Sequence, residues 1–258
     1  MECRENTQLW DIEFLADNPV VRSKRFGIPA EAKAVRYPVR LLRYWFGYHL
    51  LRLEAERVAA VEGRPIRVAE VGVHTGQFLE FVQSIPEGPR LGEWLAVDAV
   101  LLHEKLKKAG YEAFLEANLE DPSFVMEGDF DVAVLLHILE HLHDPEESLR
   151  KVVAGLRPGG VVIGGFPVLP HFLIGVREKQ VRKTAKPMGH VSIFSPQRVR
   201  RMADAAGCDV EFLSGAFLMR SKGSSLENDP RWLRFNLWWG QRFPSWPGEV
   251  YWLARKRG

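Results

Sequence analysis

The sequence predicts an α/β protein built on a mostly parallel sheet with helices on both faces. From Ile66 onward, apolar runs of strand length alternate with helix-patterned segments, which is the signature of parallel strands joined by crossover helices. Three of these runs, Arg67–Val71, Trp94–Val97 and Asp131–His137, end in a small turn or an acidic residue, where an open α/β sheet presents a ligand. The 258 residues, 46% apolar and 26% charged, suit one large domain with a proper core, or a domain with an appendage.

The elements follow in order. Residues 1–63 read as an N-terminal helical lid or appendage. Leu41, Leu42, Trp45, Tyr48, Leu51, Leu53 and Val58 recur at three- and four-residue spacing, which predicts an amphipathic helix from about Pro38 to Ala60, closed by Gly63-Arg64-Pro65. Residues 64–258 form the sheet domain. Its further strands are predicted at Ala113–Ala117, Val161–Phe166, Asp209–Leu213 and Val250–Ala254. Asp144, Pro145 and Glu147 signal a capping box for the helix before Arg157-Pro-Gly-Gly160. A second helix runs from Pro196 to Ala206. An aromatic insertion at about 217–248 carries Trp232, Phe235, Trp238, Trp239, Phe243 and Trp246.

Composition excludes several classes. A net charge of +2 gives no electrostatic case for nucleic acid. Cys3 and Cys208 are the only cysteines, so neither a disulfide framework nor a cysteine zinc site is available, which fits a reducing cytoplasm. Met-Glu-Cys-Arg-Glu lacks an apolar signal core. Val152 to Val176 holds Arg157, Pro158, Gly159, Gly160, Pro167 and Pro170, so no transmembrane helix is expected there.

Four segments carry chemistry. Glu70-Val-Gly72-Val-His74-Thr-Gly76 is a strand-to-helix turn whose glycines allow positive φ and close approach of a ligand. Asp98 closes the second strand, where an acidic residue can accept from ribose hydroxyls or cap the next helix. Asn118-Leu119-Glu120-Asp121 follows the third. Asp131-Val-Ala-Val-Leu-Leu-His137-Ile-Leu-Glu140-His141-Leu-His143 ends the fourth and is followed by Leu156-Arg-Pro-Gly-Gly160. His137, His141 and His143 do not show recognisable metal-ligand spacing, and a strand-to-loop join should not aim all three at one point. No metal is expected.

In order and content these segments resemble the class I S-adenosylmethionine (SAM)-dependent methyltransferases, notably those acting on small molecules and glycans. The resemblance implies a Rossmann-like seven-stranded sheet with a final antiparallel hairpin, and SAM as cofactor. It places Glu70, Gly72, His74 and Gly76 in the cofactor loop and Asp98 on the ribose. Asn118 and Leu119 fall at the adenine, and His137 near the sulfonium. Gly189-His190-Val-Ser-Ile-Phe194-Ser-Pro196 also resembles the family. His190 and His141 are the candidate bases for a hydroxyl acceptor, with backbone bonding and loop fixation the competing role for His190. Two departures stand out. His74 replaces the middle glycine, and Asn118 replaces a carboxylate.

The expected activity is methyl transfer to a small-molecule, glycan or lipid-intermediate acceptor. Arg177, Lys179, Arg182, Lys183 and Lys186 against Glu178 alone suggest an anionic one. The alternative is a methyltransferase-fold binding or regulatory protein without catalysis, motivated by His74. A nicotinamide site fits poorly, because Gly72 and Gly76 do not make a Gly-x-Gly-x-x-Gly pattern. The expected state is a monomer or homodimer, with peripheral membrane contact through a basic, aromatic-rich helix as a lesser reading.

Overall fold

A computed structural model describes residues 10–16, 38–85, 88–184, 189–216, 218, 229–246 and 248–258. Cys3, Lys186 and most of 217–228 lie outside them. The N-terminal helices are α1 (Ile12–Ala16) and α2 (Pro38–Glu62). Then come β1 (Ile66–Val71), α3 (Gln77–Gln83), β2 (Leu91–Asp98), α4 (His103–Lys108), β3 (Ala113–Glu116) and β4 (Phe130–Leu136). A 3₁₀ turn at Leu139–His141 leads to α5 (Pro145–Ala154), β5 (Leu156–Val168), α6 (Ile174–Thr184) and α7 (Pro196–Ala205). The chain finishes with β6 (Cys208–Gly215), α8 (Pro230–Arg242) and β7 (Gly248–Lys256).

The seven strands lie in the order β3-β2-β1-β4-β5-β7-β6. Pairings among β1 to β5 are parallel, and β7 runs antiparallel to both β5 and β6. The chain winds outward from β1 to β3 and then returns to β4 beside β1. That reversal opens a crevice between the two strand ends.

Alternation along the strands sends side chains into two cores. Val68, Val132, Val134, Val161 and Ile163 join α2, α3, α4 and α8 on one face. Ala69, Ala133, Leu135 and Val162 join α5 and α7 on the other. Helices therefore cover both faces, as expected.

Three expectations change. The predicted amphipathic helix is not one-sided: Trp45, Phe46, Tyr48, His49, Leu50 and Leu51 are all buried, so α2 is wrapped over a full turn. Its neighbours are Leu15, which accepts from Trp45 Nε1 at 3.0 Å, and Trp10, whose ring lies 5.2 Å from Phe46. The capping box at α5 is half formed. Asp144 accepts from Glu147 N at 3.1 Å, but the Asp144 N–H goes to Glu120 and Glu147 pairs with Arg150. Finally, the strand predicted at Val161–Phe166 is longer at both ends, and Arg157-Pro-Gly-Gly160 is part of it. Arg157 bonds Asp131 Oδ1 at 2.5 Å there, beside Arg64 and the Arg67 N–H, which also bind Asp131.

The aromatic insertion packs against the N-terminus. Arg234 of α8 pairs with Glu13 at 2.7 Å, and Gln241 Nε2 donates to Trp10 O at 3.2 Å. Leu233 and Leu237 are buried, while Trp238, Phe243 and Trp246 stay exposed.

Candidate active site

A cavity of about 490 Å³ occupies the crevice at the carboxyl ends of β1 and β4. Its walls come from Val71–Thr75 after β1, Leu136–Ile138 and His141 after β4, Gln77 and Phe78 of α3, and Arg43 and Tyr44 of α2. A small-molecule site typically needs roughly 300–1,000 Å³, so a nucleoside-sized ligand fits.

The turn after β1 is built from three left-handed residues at alternate positions: Gly72 (φ 76), His74 (φ 48) and Gly76 (φ 78). This explains why small residues are wanted there. A Cβ on Gly72 would stand 1.9 Å from Ile138 Cδ1, and one on Gly76 would stand 2.8 Å from the Tyr111 ring. His74 adopts the middle left-handed position, which histidine tolerates better than most side chains, at a cost of about 1–2 kcal/mol. Its side chain is exposed and its N–H donates to Asp98 Oδ2 at 2.8 Å. The loop therefore keeps its course despite the missing glycine.

Glu70 lies beneath this turn and is buried. Its Oε2 accepts from Trp94 Nε1 at 3.1 Å and Tyr111 Oη at 2.5 Å, tying β1 to β2 and to the segment before β3. Burial pushes the Glu70 carboxyl up to about 7, against the pull of those two donors. A carboxyl whose folded value lies above its unfolded 4.5 holds its proton more tightly when folded. Native stability should therefore fall as pH rises from 4.5 through about 7, by about 3 kcal/mol in all. Glu70→Gln should flatten this slope. Thermal melts of both proteins across that range check it, and parallel pH profiles would contradict the assignment.

His137 follows β4 and is also left-handed (φ 60), which ends the strand one residue earlier than predicted. Its Nδ1 lies 3.1 Å from Glu140 Oε1 and its Nε2 lies 3.7 Å from Glu249 Oε2. Glu249, buried on β7, binds the Arg43 guanidinium through both oxygens and accepts from Tyr251 Oη at 3.0 Å. Arg43 and Glu249 escaped the sequence reading. The only signals were an arginine within a helix of large apolar residues and an acid opening an apolar strand.

The remaining predicted residues divide. Asp98 sits next to the cavity, joined to it through His74. Asn118 is exposed, with its Oδ1 engaged by Glu120 N at 3.0 Å. Leu119 is a core side chain on the α5 face, packed in the cluster of Leu149 and Val152. Neither of these two lines the cavity. His141 does, and its ring meets His190 edge-on at 4.8 Å. His141 Nδ1 lies 3.2 Å from Gly189 O. A carbonyl can only accept, so Nδ1 is the donor in this contact.

His137, His141 and His143 diverge as expected, with His143 turned to Glu120. Among the described residues, the group that does converge is Glu140, His141 and His190, whose ligand-type atoms lie within 4.8 Å of one another. None of Arg177, Lys179, Arg182 or Lys183 lines the cavity; Lys179 and Arg182 line the groove between α6 and α7.

Sheet order and crevice together define a methyltransferase-type α/β protein. The family description "Methyltransferase domain" matches residues 44–212, and the chain belongs to that family. A ubiquinone biosynthesis O-methyltransferase from Thiobacillus denitrificans is 29% identical over 128 residues, covering 47% of this chain and 53% of that protein. The chain thus spans about half the length of the curated relatives it matches. Among solved structures, a SAM-dependent methyltransferase from Mesorhizobium loti superposes with TM-score 0.53 at 16% identity, covering 78% of this chain and 96% of that one. The methyltransferase CalH, solved with S-adenosylhomocysteine, gives 0.52 at 16% identity, covering 84% and 59%. These two share the fold.

Proposed function

We propose that this chain is a SAM-dependent methyltransferase acting on a hydroxyl group of a small-molecule acceptor. The observation that carries the reading is the crevice between β1 and β4, walled on one side by the left-handed loop 72–76 and on the other by the turn 137–141. SAM, when bound, supplies an already activated methyl carbon. Gly72 lines the crevice, Gly76 lets the loop pack on Tyr111 and Ala109, and Asp98 Oδ1, held by a 3.4 Å bond from Val100 N, has capacity to accept from a ribose hydroxyl.

The chain's main task is then to align acceptor, carbon and sulfur, since proximity supplies much of the rate. Burial of Phe78, Val73 and Val134 around the crevice excludes water. With Nδ1 donating to the Gly189 carbonyl, Nε2 is the His141 nitrogen left to take the acceptor proton. His190 buttresses that ring. The relative named for ubiquinone O-methylation agrees with an oxygen acceptor. The reading of an inactive family member rested on His74, and that residue holds the middle left-handed position of the loop with its N–H bonded to Asp98, which speaks against it.

Asp98→Ala should lower SAM affinity roughly tenfold or more, as loss of a hydrogen bond to a charged group costs about 1.5–3 kcal/mol. Calorimetric titration reads this directly. Wild-type protein giving no heat with SAM would end the proposal, and unchanged affinity in the variant would remove Asp98 from the ribose. His141→Ala should keep SAM affinity and lose methyl transfer to a panel of hydroxyl acceptors.

A further inference from the structure

The turn at His171–Leu173 and helix α6 sort their residues in an unusual way. No side chain of α6 is buried, although the helix is 11 residues long. Short helices rarely hold by propensity alone, and polar ties fasten this one instead. Glu178 accepts from Ile193 N at 3.0 Å and pairs with Arg198 at 2.6 Å and Arg182 at 2.9 Å. An open groove of about 730 Å³ separates α6 from α7 beneath those ties.

Away from the groove stand Phe172 of the 3₁₀ turn and Val176 and Lys183 of α6, with Lys179 between them at the groove's edge. Phe172 is 80% exposed and Val176 74% exposed, with Leu173 beside them at 40%. Among the described residues, neither lysine has an ion partner, and Arg177 bonds only Gln180. The segment's one acid, Glu178, faces inward together with Arg182, while Arg177, Lys179 and Lys183 are exposed. Single exposed apolar residues are ordinary, but here three lie together, with lysines beside them.

We infer that this surface docks on an anionic lipid bilayer. Phe172, Leu173 and Val176 suit the boundary between headgroups and acyl chains, while Lys179 and Lys183 can lay their stems along it and reach phosphate. Charge complementarity selects the occupant, since the outward face carries cations and no carboxylate. The surface adjoins the crevice. Arg182 donates to His143 O at 3.2 Å and to Val191 O at 3.1 Å, and Val191 N donates to Glu140 O at 2.8 Å. A bilayer under α6 therefore lies beside the turn that carries His141. This inference stands apart from the reading of the reaction.

Vesicle flotation of the full chain tests it, using phosphatidylcholine vesicles and phosphatidylcholine vesicles containing phosphatidylglycerol. The protein should float with the anionic vesicles and be released by salt. Phe172→Ser with Val176→Ser should abolish flotation, and Lys179→Gln with Lys183→Gln should weaken it about thirtyfold. All four positions are exposed, so these variants should fold, which circular dichroism and an unchanged heat of SAM binding would register. Absence of flotation on anionic vesicles, or flotation that the serine pair leaves intact, overturns the inference. So does a concentration-dependent dimer that Phe172→Ser dissociates, because the face would then belong to a second copy.

Discussion

Asp131→Ala is expected to lower the unfolding free energy by about 3 kcal/mol, near the bottom of the range for stripping one partner from a buried ion pair. The Asp131 side chain is wholly buried where β1, β4 and β5 begin. It accepts from Arg64 Nη1 and Nη2 at 2.7 Å, from Arg67 N at 2.8 Å and from Arg157 Nε at 2.5 Å. Arg64 and Arg157 remain 36% and 24% exposed, so water can recover part of their solvation in the variant, which argues for the lower figure. Urea unfolding at neutral pH should show the loss as a reduced midpoint with little change in slope. Burial works against ionisation of Asp131, and its donors, led by Arg64, overcome it and hold the carboxyl below its usual range. The stabilisation is therefore present above the unfolded value of 3.8 and fades as pH falls through the lower folded value. Asp131→Ala should lack that acid limb. A loss under about 1 kcal/mol would mean that the cluster nearly breaks even with hydration.

Gly72→Ala should nearly abolish SAM binding while costing about 2–5 kcal/mol of stability. Two physical terms combine: left-handed backbone at φ 76, worth about 1–2 kcal/mol, and overpacking against Ile138, worth about 1–3. Relief requires either that Ile138 move into the cavity it lines, or that the loop swing outward and release the 2.7 Å bond from Gly72 N to Val97 O. Ile138→Ala in the same chain removes the clash and leaves the backbone strain. The double variant should recover part of the stability, and the shortfall measures the dihedral cost. Titration with SAM and thermal melts of the three proteins check both halves. Undiminished SAM affinity in Gly72→Ala would place the nucleoside elsewhere.

Much of the framework is readable along the chain because its signals are local. Ser195-Pro196 and Asp144-Pro145 start helices with the side-chain caps their types imply, Ser195 accepting from Arg198 N and Asp144 from Glu147 N. Strand runs from Ile66 onward alternate as a two-faced sheet demands, and the late pair returns as an antiparallel hairpin. Boundaries shift where a distant partner intervenes. Glu120 takes the Asp144 N–H that a complete capping box would use. Asp131 and Glu62 draw Arg157 into a strand whose apolar run begins only at Val161.

The crevice divides along the same line. The turn beside it is legible, because a strand-to-helix join needs glycines at fixed steps: Glu70 and Gly72 line the cavity, while Gly76 and Asp98 support the loop behind it. The residues around His137 are not. Its two nitrogens face Glu140 and Glu249, and Glu249 in turn holds Arg43 of α2, so three elements far apart in the chain meet at one ring. The pairing of His141 with His190 likewise depends on the 189–192 segment crossing over Glu140. His74 shows the division within one residue. Its identity marks a departure from the glycine pattern, but the direction of its side chain follows from a backbone angle and an aspartate on the neighbouring strand. Periodicity, caps and turn residues act over a few positions and so are written in order along the chain. Convergence of side chains at a site depends on crossing distances and burial, which arise once the sheet has brought remote segments together.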